Sequence, residues 1–274
     1  MLIDQNTMDM IHNIQLEMLK ELIRVMNLLR IKYYFVHGSL LGAIRDNDFI
    51  AEDDDIDIAI FREDYNRLMY HGQAMMAPQF FLQNSANDRF PLSFGKMRKN
   101  DTAFIQPVLG RIGCNKGIYI DIFPIDFEDD SVCFRAKKFI MDIRISQMLN
   151  TGVRSWKGKI LGTASKVLCP SYDKALLKRE VLFSSAKQSD FLVIYGGKSS
   201  EKHMPAVWFE GQTFFKFRDI EVACPSGYIP YLRCIYGDDY LKHNPAGARI
   251  EGKKIKISAD ILDLNKSYLE YLNL

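Results

Sequence analysis

No two of the five cysteines in this 274-residue chain are spaced C-x-x-C; Cys114, Cys133, Cys169, Cys224 and Cys234 are scattered and odd in number. That argues against a structural zinc site or a disulfide framework and for reduced thiols in a cytoplasmic setting. No stretch reaches the roughly 18 uninterrupted apolar residues of a membrane-spanning helix. The first residues lack a basic run followed by an apolar one, so no secretory signal is expected. Repeats and low-complexity linkers are missing too. A net charge of only +2 leaves nucleic-acid binding undecided, but no aromatic-basic interleaving supports it. Among His12, His37, His71, His203 and His243 no pair has metal-ligand spacing. His37 alone adjoins a Gly-Ser turn, and ordinary packing or exposure is its expected role.

What is present suits a folded enzyme-sized domain. Hydrophobic residues make up 47% and charged ones 26%, enough to build a real core. Ile11, Ile14, Met18, Leu22, Val25 and Leu29 recur at three- and four-residue steps and predict a scaffold helix over residues 9–30. Residues 32–36 predict a strand, and Gly38-Ser39 opens a short helix ending near Arg45. "DIDIAI" predicts a second strand, residues 61–76 a helix, and "QFFLQN" a strand. Two further strands flank a turn at Asn100-Asp101. Another, within residues 116–126, closes at Phe123-Pro124.

Beyond about residue 130 the character changes. Residues 135–187 hold twelve Lys and Arg against three acids, a net +9, in an amphipathic helical pattern broken near Cys169-Pro170. "AVWFE", "QTFFKF" and "DIEVAC" then predict strands, followed by a Pro-started helix, "PSGYIPYLRCIYG". The expected division is a catalytic core over 1–130 and a helical and C-terminal strand extension over 131–274 packed on it. The basic segment is read as a solvated face or a surface answering an acidic site. Peripheral contact with anionic membrane is the alternative.

The densest chemistry lies in "EDDDIDIAI". On an extended strand Asp53, Asp55 and Asp57 share one side while Asp54 and Ile56 take the other, with alternate Cα atoms roughly 6.5–7 Å apart. Carboxylates so crowded repel one another unless a cation or proton relieves them. Oxygen ligands suit magnesium, with manganese as an alternative. An EF-hand loop would need glycine where Ile58 stands. A helix opening at Gly38-Ser39 offers backbone N–H groups to a phosphate. Arg45 and Lys96 could neutralise phosphate oxygens, although a surface ion pair suits either one alone. Asp121, in the apolar "GIYIDIFPI", is a third acid, either a metal ligand or an acceptor of a hydroxyl proton. Asp126, beyond Pro124, is expected to be a turn or cap residue.

Taken together, "HGSLLGAIRDNDFIAEDDDIDIAI", "FGKMRKNDTAF", "IYIDIFPID" and "YLRCIYGDDYL" resemble the LicD family, within the polymerase β type of nucleotidyltransferase. The resemblance runs from about Asn27 to Pro245. It implies an α/β (α+β) fold, a mixed sheet flanked by helices, with the basic helical region and C-terminal strands appended. It further implies magnesium-dependent transfer of a phospho-alcohol, phosphocholine-like or a polyol phosphate, from a CDP-linked donor to a hydroxyl of a cell-surface glycan. Asp55 and Asp57 match the metal pair, with Asp53 accessory, and Asp121 the third acid. Gly38 and Ser39 match the donor-phosphate turn, with Arg45 and Lys96 at basic positions of the family blocks. Relatives commonly carry Asp-Gly-Gly-Thr where this chain has His37-Gly38-Ser39-Leu40, and Pro-Trp where it has Ala51-Glu52; Asp48 replaces a glycine. A closing Arg/His motif would fall around Arg249. Two other readings use the same residues: transfer of NMP from an NTP to a small-molecule hydroxyl, or a catalytically silent partner in glycan assembly.

Overall fold

The computed structural model describes residues 1–110, 112–149, 162–163, 165–196, 202–242 and 250–272. The basic positions 154, 157 and 159, together with His243 and Arg249, lie outside the described residues.

The chain is a mixed α/β structure built on one seven-stranded sheet. Its first helix, α1 (Gln5–Leu28), is capped by Asp4, whose side chain accepts from the Thr7 N–H at 2.8 Å. Ile11, Met18, Leu22 and Val25 of the apolar stripe are buried while Ile14 and Leu29 are half-buried against the core, and His12 and Gln15 are buried on the same helix. A short strand β1 (Leu2–Ile3) precedes it. Next come β2 (Tyr34–Phe35), α2 (His37–Arg45), β3 (Asp57–Phe61) and α3 (Arg62–His71). After these follow β4 (Phe80–Gln83), β5 (Gly95–Lys99), β6 (Ala103–Ile105) and the long β7 (Tyr119–Phe127).

The sheet order is β2-β3-β7-β5-β4, with β3 and β7 parallel and the other neighbours antiparallel. Helix α1 packs on β5 and β7, and α3 on β3 and β7. Central strands therefore read as apolar runs, with Ile58, Ile60, Ile120 and Ile122 fully buried. Each such side chain stabilises the fold by roughly 1.5–3 kcal/mol relative to exposure.

Strand β7 does not close at Phe123-Pro124. It continues to Phe127, because Pro124 sits where a missing N–H is harmless. On one side β5 pairs with residues 119–122, and β8 (Phe191–Ile194) takes over only at 125–127. Asp126 is consequently a buried strand residue rather than a turn or cap. Its carboxylate accepts two bonds from the Arg62 guanidinium, at 2.7 and 2.6 Å. The strands flanking Asn100-Asp101 exist but do not pair with each other: β5 joins the main sheet and β6 leaves it.

Helix α4 (Val132–Met148) and the helix Tyr172–Ser184 pack together in the basic region. Downstream come β9 (Met204–Pro205), β10 (Gln212–Phe217), β11 (Ile220–Pro225), β12 (Ile250–Glu251), β13 (Lys254–Lys256) and β14 (Ile261–Asp263). "AVWFE" is a 3-10 turn, Ala206–Phe209, rather than a strand. Its Tyr34-facing ring explains why: Phe209 is buried edge-on to Tyr34 at 5.4 Å, and its carbonyl accepts from the Tyr34 hydroxyl at 2.7 Å. The late helix starts at Tyr228 and carries Pro230 in its first turn, while Pro225 closes β11. Strands on both sides of residue 130 pair with one another: β8 with β7, β14 with β6, and β13 with β1.

Candidate active site

Parallel pairing of β3 with β7 sets Asp57 directly opposite Asp121, and antiparallel pairing of β5 with β7 sets Lys96 opposite Asp121 on the other side. Paired residues point to the same face of a sheet. Asp57, Asp121 and Lys96 therefore form one row across three neighbouring strands. Asp55 joins them from the segment just before β3: carboxylate oxygens of Asp55, Asp57 and Asp121 all lie within 4.8 Å of one another.

Residues 53–56 are not part of the ladder, which begins at Asp57, so strand alternation does not order them. Specific bonds do. The His12 ring, stacked on Phe49 at 4.1 Å, hydrogen-bonds the Asp53 carbonyl at 2.7 Å. Burial lowers the His12 pKa, so the neutral ring donates to that carbonyl. Gln15 Nε2 donates to the carbonyls of Asp54 at 2.8 Å and Tyr119 at 3.2 Å, tying the acidic segment to β7. Asp54 turns to a different partner, accepting from Ser258 N–H and Oγ at 2.9 Å each. It nevertheless remains close to its neighbours, since one oxygen each from Asp53, Asp54 and Asp55 falls within 4.8 Å.

The α2 end is equally specific. Ser39 Oγ accepts from the Asp57 N–H at 2.8 Å, fixing where β3 starts. A Cβ placed on Gly38 would lie 2.3 Å from Asp53 Oδ2, so the glycine makes room for that carboxylate. His37 takes a left-handed backbone (φ 48°), which costs about 1–3 kcal/mol outside glycine. Its N–H donates to the Tyr231 hydroxyl at 3.3 Å, and its Nδ1 stands 3.6 Å from Asp57 Oδ2. The histidine is packed, as its sequence context suggests, but packed against the acids. Arg45 occupies the opposite end of the nine-residue helix, bound to Asp46 at 2.9 and 2.7 Å. At 1.5 Å per residue that is about 12 Å from His37.

Electrostatics favour a cation. Burial, followed by the charges of Asp57 and Asp53, holds the Asp55 carboxyl well above the ordinary carboxylate range. Asp121 is pushed up to about 6, chiefly by burial; Lys96 opposes the rise and Asp57 adds to it. Lys96 itself is buried, bonded to Asp121 Oδ1 and seated 3.4 Å from the centre of the Tyr119 ring. Burial depresses its pKa while Asp121 counters. Two full charges at that 4.8 Å limit would repel by about 3.5 kcal/mol at an effective dielectric of about 20. A divalent ion would offset this repulsion and favour the ionised form of Asp55. The donor set is all oxygen, as magnesium prefers, and the crowded buried acids fit such an ion.

Sequence reasoning passed over His12, Gln15, Tyr231 and Ser258. Polar residues on the apolar stripe of α1 were the available signal for the first two. The other two act across more than 190 residues and leave no local trace.

The nucleotidyltransferase-domain model of LicD/FKTN/FKRP matches residues 30–147. Over 228 residues, 79% of this chain and 84% of the relative, the sequence is 25% identical to the lipopolysaccharide cholinephosphotransferase LicD of Haemophilus influenzae. The chain is thus similar to the LicD family across its first half. The matched domain contains His37, Ser39, the acidic run, Lys96 and Asp121. His12 and Gln15 before it, and Tyr231 and Ser258 after it, support the site from outside the matched domain.

Proposed function

We propose that this protein is a phosphotransferase with a polymerase β-type nucleotidyltransferase core. It moves a phospho-alcohol, phosphocholine-like or a polyol phosphate, from a CDP-linked donor to a hydroxyl of a cell-surface glycan or its precursor. The observation that carries the reading is the meeting of Asp55, Asp57 and Asp121 within 4.8 Å, beside buried Lys96. The named activity of the Haemophilus relative supports the phosphocholine class.

Asp55 and Asp57 would hold magnesium, flanked by Asp53. The ion would neutralise charge that develops on the phosphate during transfer. Asp121, ionised at neutral pH yet more basic than an ordinary aspartate, takes the proton of the acceptor hydroxyl. That oxygen forms the new bond to phosphorus, and the bond to CMP breaks in line. Lys96 keeps Asp121 oriented and offsets part of its charge. Ser39 holds the start of β3, and with it Asp57, in place.

The test is CMP release from a panel of CDP-alcohols with magnesium, comparing the native protein with Asp55→Ala and Asp57→Asn. Both variants are expected to lose at least a hundredfold in rate; turnover retained in both would overturn the assignment. Mass spectrometry of the acceptor then separates this reaction from NMP transfer, because only one half of the nucleotide donor remains attached. Absence of magnesium binding by calorimetry would favour a catalytically silent partner.

A further inference from the structure

The helical region beyond β7 carries a second feature that the transfer chemistry does not use. Between α4 and the helix Tyr172–Ser184 runs a groove of about 420 Å³, lined by Ile140, Leu168, Val181 and Leu182 and flanked by Lys137 and Lys178. Large aliphatic side chains stand exposed in it and next to it in sequence: Leu168 is 59% exposed and Val181 61% within the lining, with Val167 at 78% beside Leu168 and Leu177 at 59% one helical turn before Val181. A solvated helix face would carry polar residues at these positions, and clustered exposed aliphatics of this kind mark a contact surface.

Charge decides the kind of contact. All three acids of residues 135–187 are engaged. Asp142 pairs with Lys138 at 2.7 Å, Asp173 with Arg89 at 2.9 Å and Glu180 with Arg62 at 2.9 Å. Among the described residues, Lys137, Lys166, Lys174 and Lys178 have no carboxylate in ion-pair range. The rim is thus basic, with its acids neutralised elsewhere. A second copy docking here by two-fold symmetry would oppose lysine to lysine. A surface that is apolar within and anionic at its boundary satisfies both parts.

We propose that this face docks the protein on an anionic lipid bilayer. Val167, Leu168, Leu177 and Val181 enter the headgroup–acyl boundary, and Lys137, Lys166, Lys174 and Lys178 meet the phosphates. The proposal is independent of the transfer chemistry. Asp57 and Asp121 lie at the N-terminal ends of β3 and β7, whereas α4 follows the C-terminal end of β7.

The test is co-sedimentation of the full chain with vesicles of phosphatidylcholine alone or mixed with phosphatidylglycerol, at low and raised salt. Binding is expected only to the mixed vesicles, with release by salt. Lys137→Gln with Lys178→Gln should weaken it by about 25-fold, roughly fivefold for each lysine. Leu177→Asn with Val181→Asn should abolish it while melting temperature and turnover on a soluble acceptor stay unchanged. Protein that remains in the supernatant with mixed vesicles, or variants that bind like the parent, would overturn the proposal. So would sedimentation velocity showing a dimer that Leu177→Asn dissociates, which would assign the face to a second copy.

Discussion

Ser39 Oγ accepts the backbone N–H of Asp57 at 2.8 Å, so the serine of the Gly-Ser turn acts on the carboxylate strand as well as on any phosphate at the helix end. Ser39→Ala leaves that N–H without its partner, a loss of about 0.5–1.5 kcal/mol. The expected result is a fall in kcat of about threefold to tenfold with weaker magnesium binding and little change in donor KM. A rise confined to donor KM would instead make the hydroxyl a phosphate contact only.

Gly38 tests the packing beside it. Since its Cβ would meet Asp53 Oδ2 at 2.3 Å, Gly38→Ala must displace that carboxylate. Overpacking of this kind costs typically about 1–3 kcal/mol. Denaturant melts should show the loss, and Asp53→Ala added to Gly38→Ala should restore most of it. A double variant as unstable as the single one would place the strain in the α2 backbone instead.

How far the sequence discloses this site follows from which contacts are local. The apolar runs around Asp57 and Asp121 mark two buried strands, and the crowding at residues 53–57 marks where the acids gather. Register is different. That Asp57 stands opposite Asp121, and Lys96 opposite the same residue, depends on pairings across 64 and 25 residues that no short pattern encodes. Asp126 illustrates the converse error. Pro124 signals a turn locally, and only the change of neighbour from β5 to β8 lets the strand run on through it. Arg45 follows the family block in sequence, yet it closes α2 at the end opposite His37, where it pairs with Asp46.

Asp126 also predicts a stability effect separable from activity. Its partner Arg62 is buried and receives a second carboxylate from Glu180 at 2.9 Å. Removing one partner of a buried pair typically costs about 3–5 kcal/mol, and the retained Glu180 argues for the lower end. Asp126→Ala should therefore lose about 3 kcal/mol in urea unfolding while the folded fraction keeps its turnover and magnesium affinity. A loss below about 1 kcal/mol would mean that Glu180 alone satisfies the guanidinium.

The pH dependence follows from Asp121, whose carboxyl is pushed up to about 6, first by burial, against about 3.9 in an unfolded chain. Between those values the folded protein holds a proton that the unfolded chain has released. Without metal, this carboxyl therefore disfavours folding at neutral pH, and the penalty is relieved as pH falls through about 6. Asp121 lies beside Asp55 and Asp57, so its negative charge would strengthen magnesium binding there, and affinity should weaken as the carboxyl is protonated below about 6. Calorimetric titrations from pH 7.5 to 5 should show this fall, and thermal melts should show magnesium stabilising the protein only on the alkaline side. Lys96→Met sharpens the test, since the lysine charge opposes the rise in Asp121. Its removal should move the midpoint of magnesium binding to higher pH; an unmoved midpoint would show that Asp121 does not govern the titration.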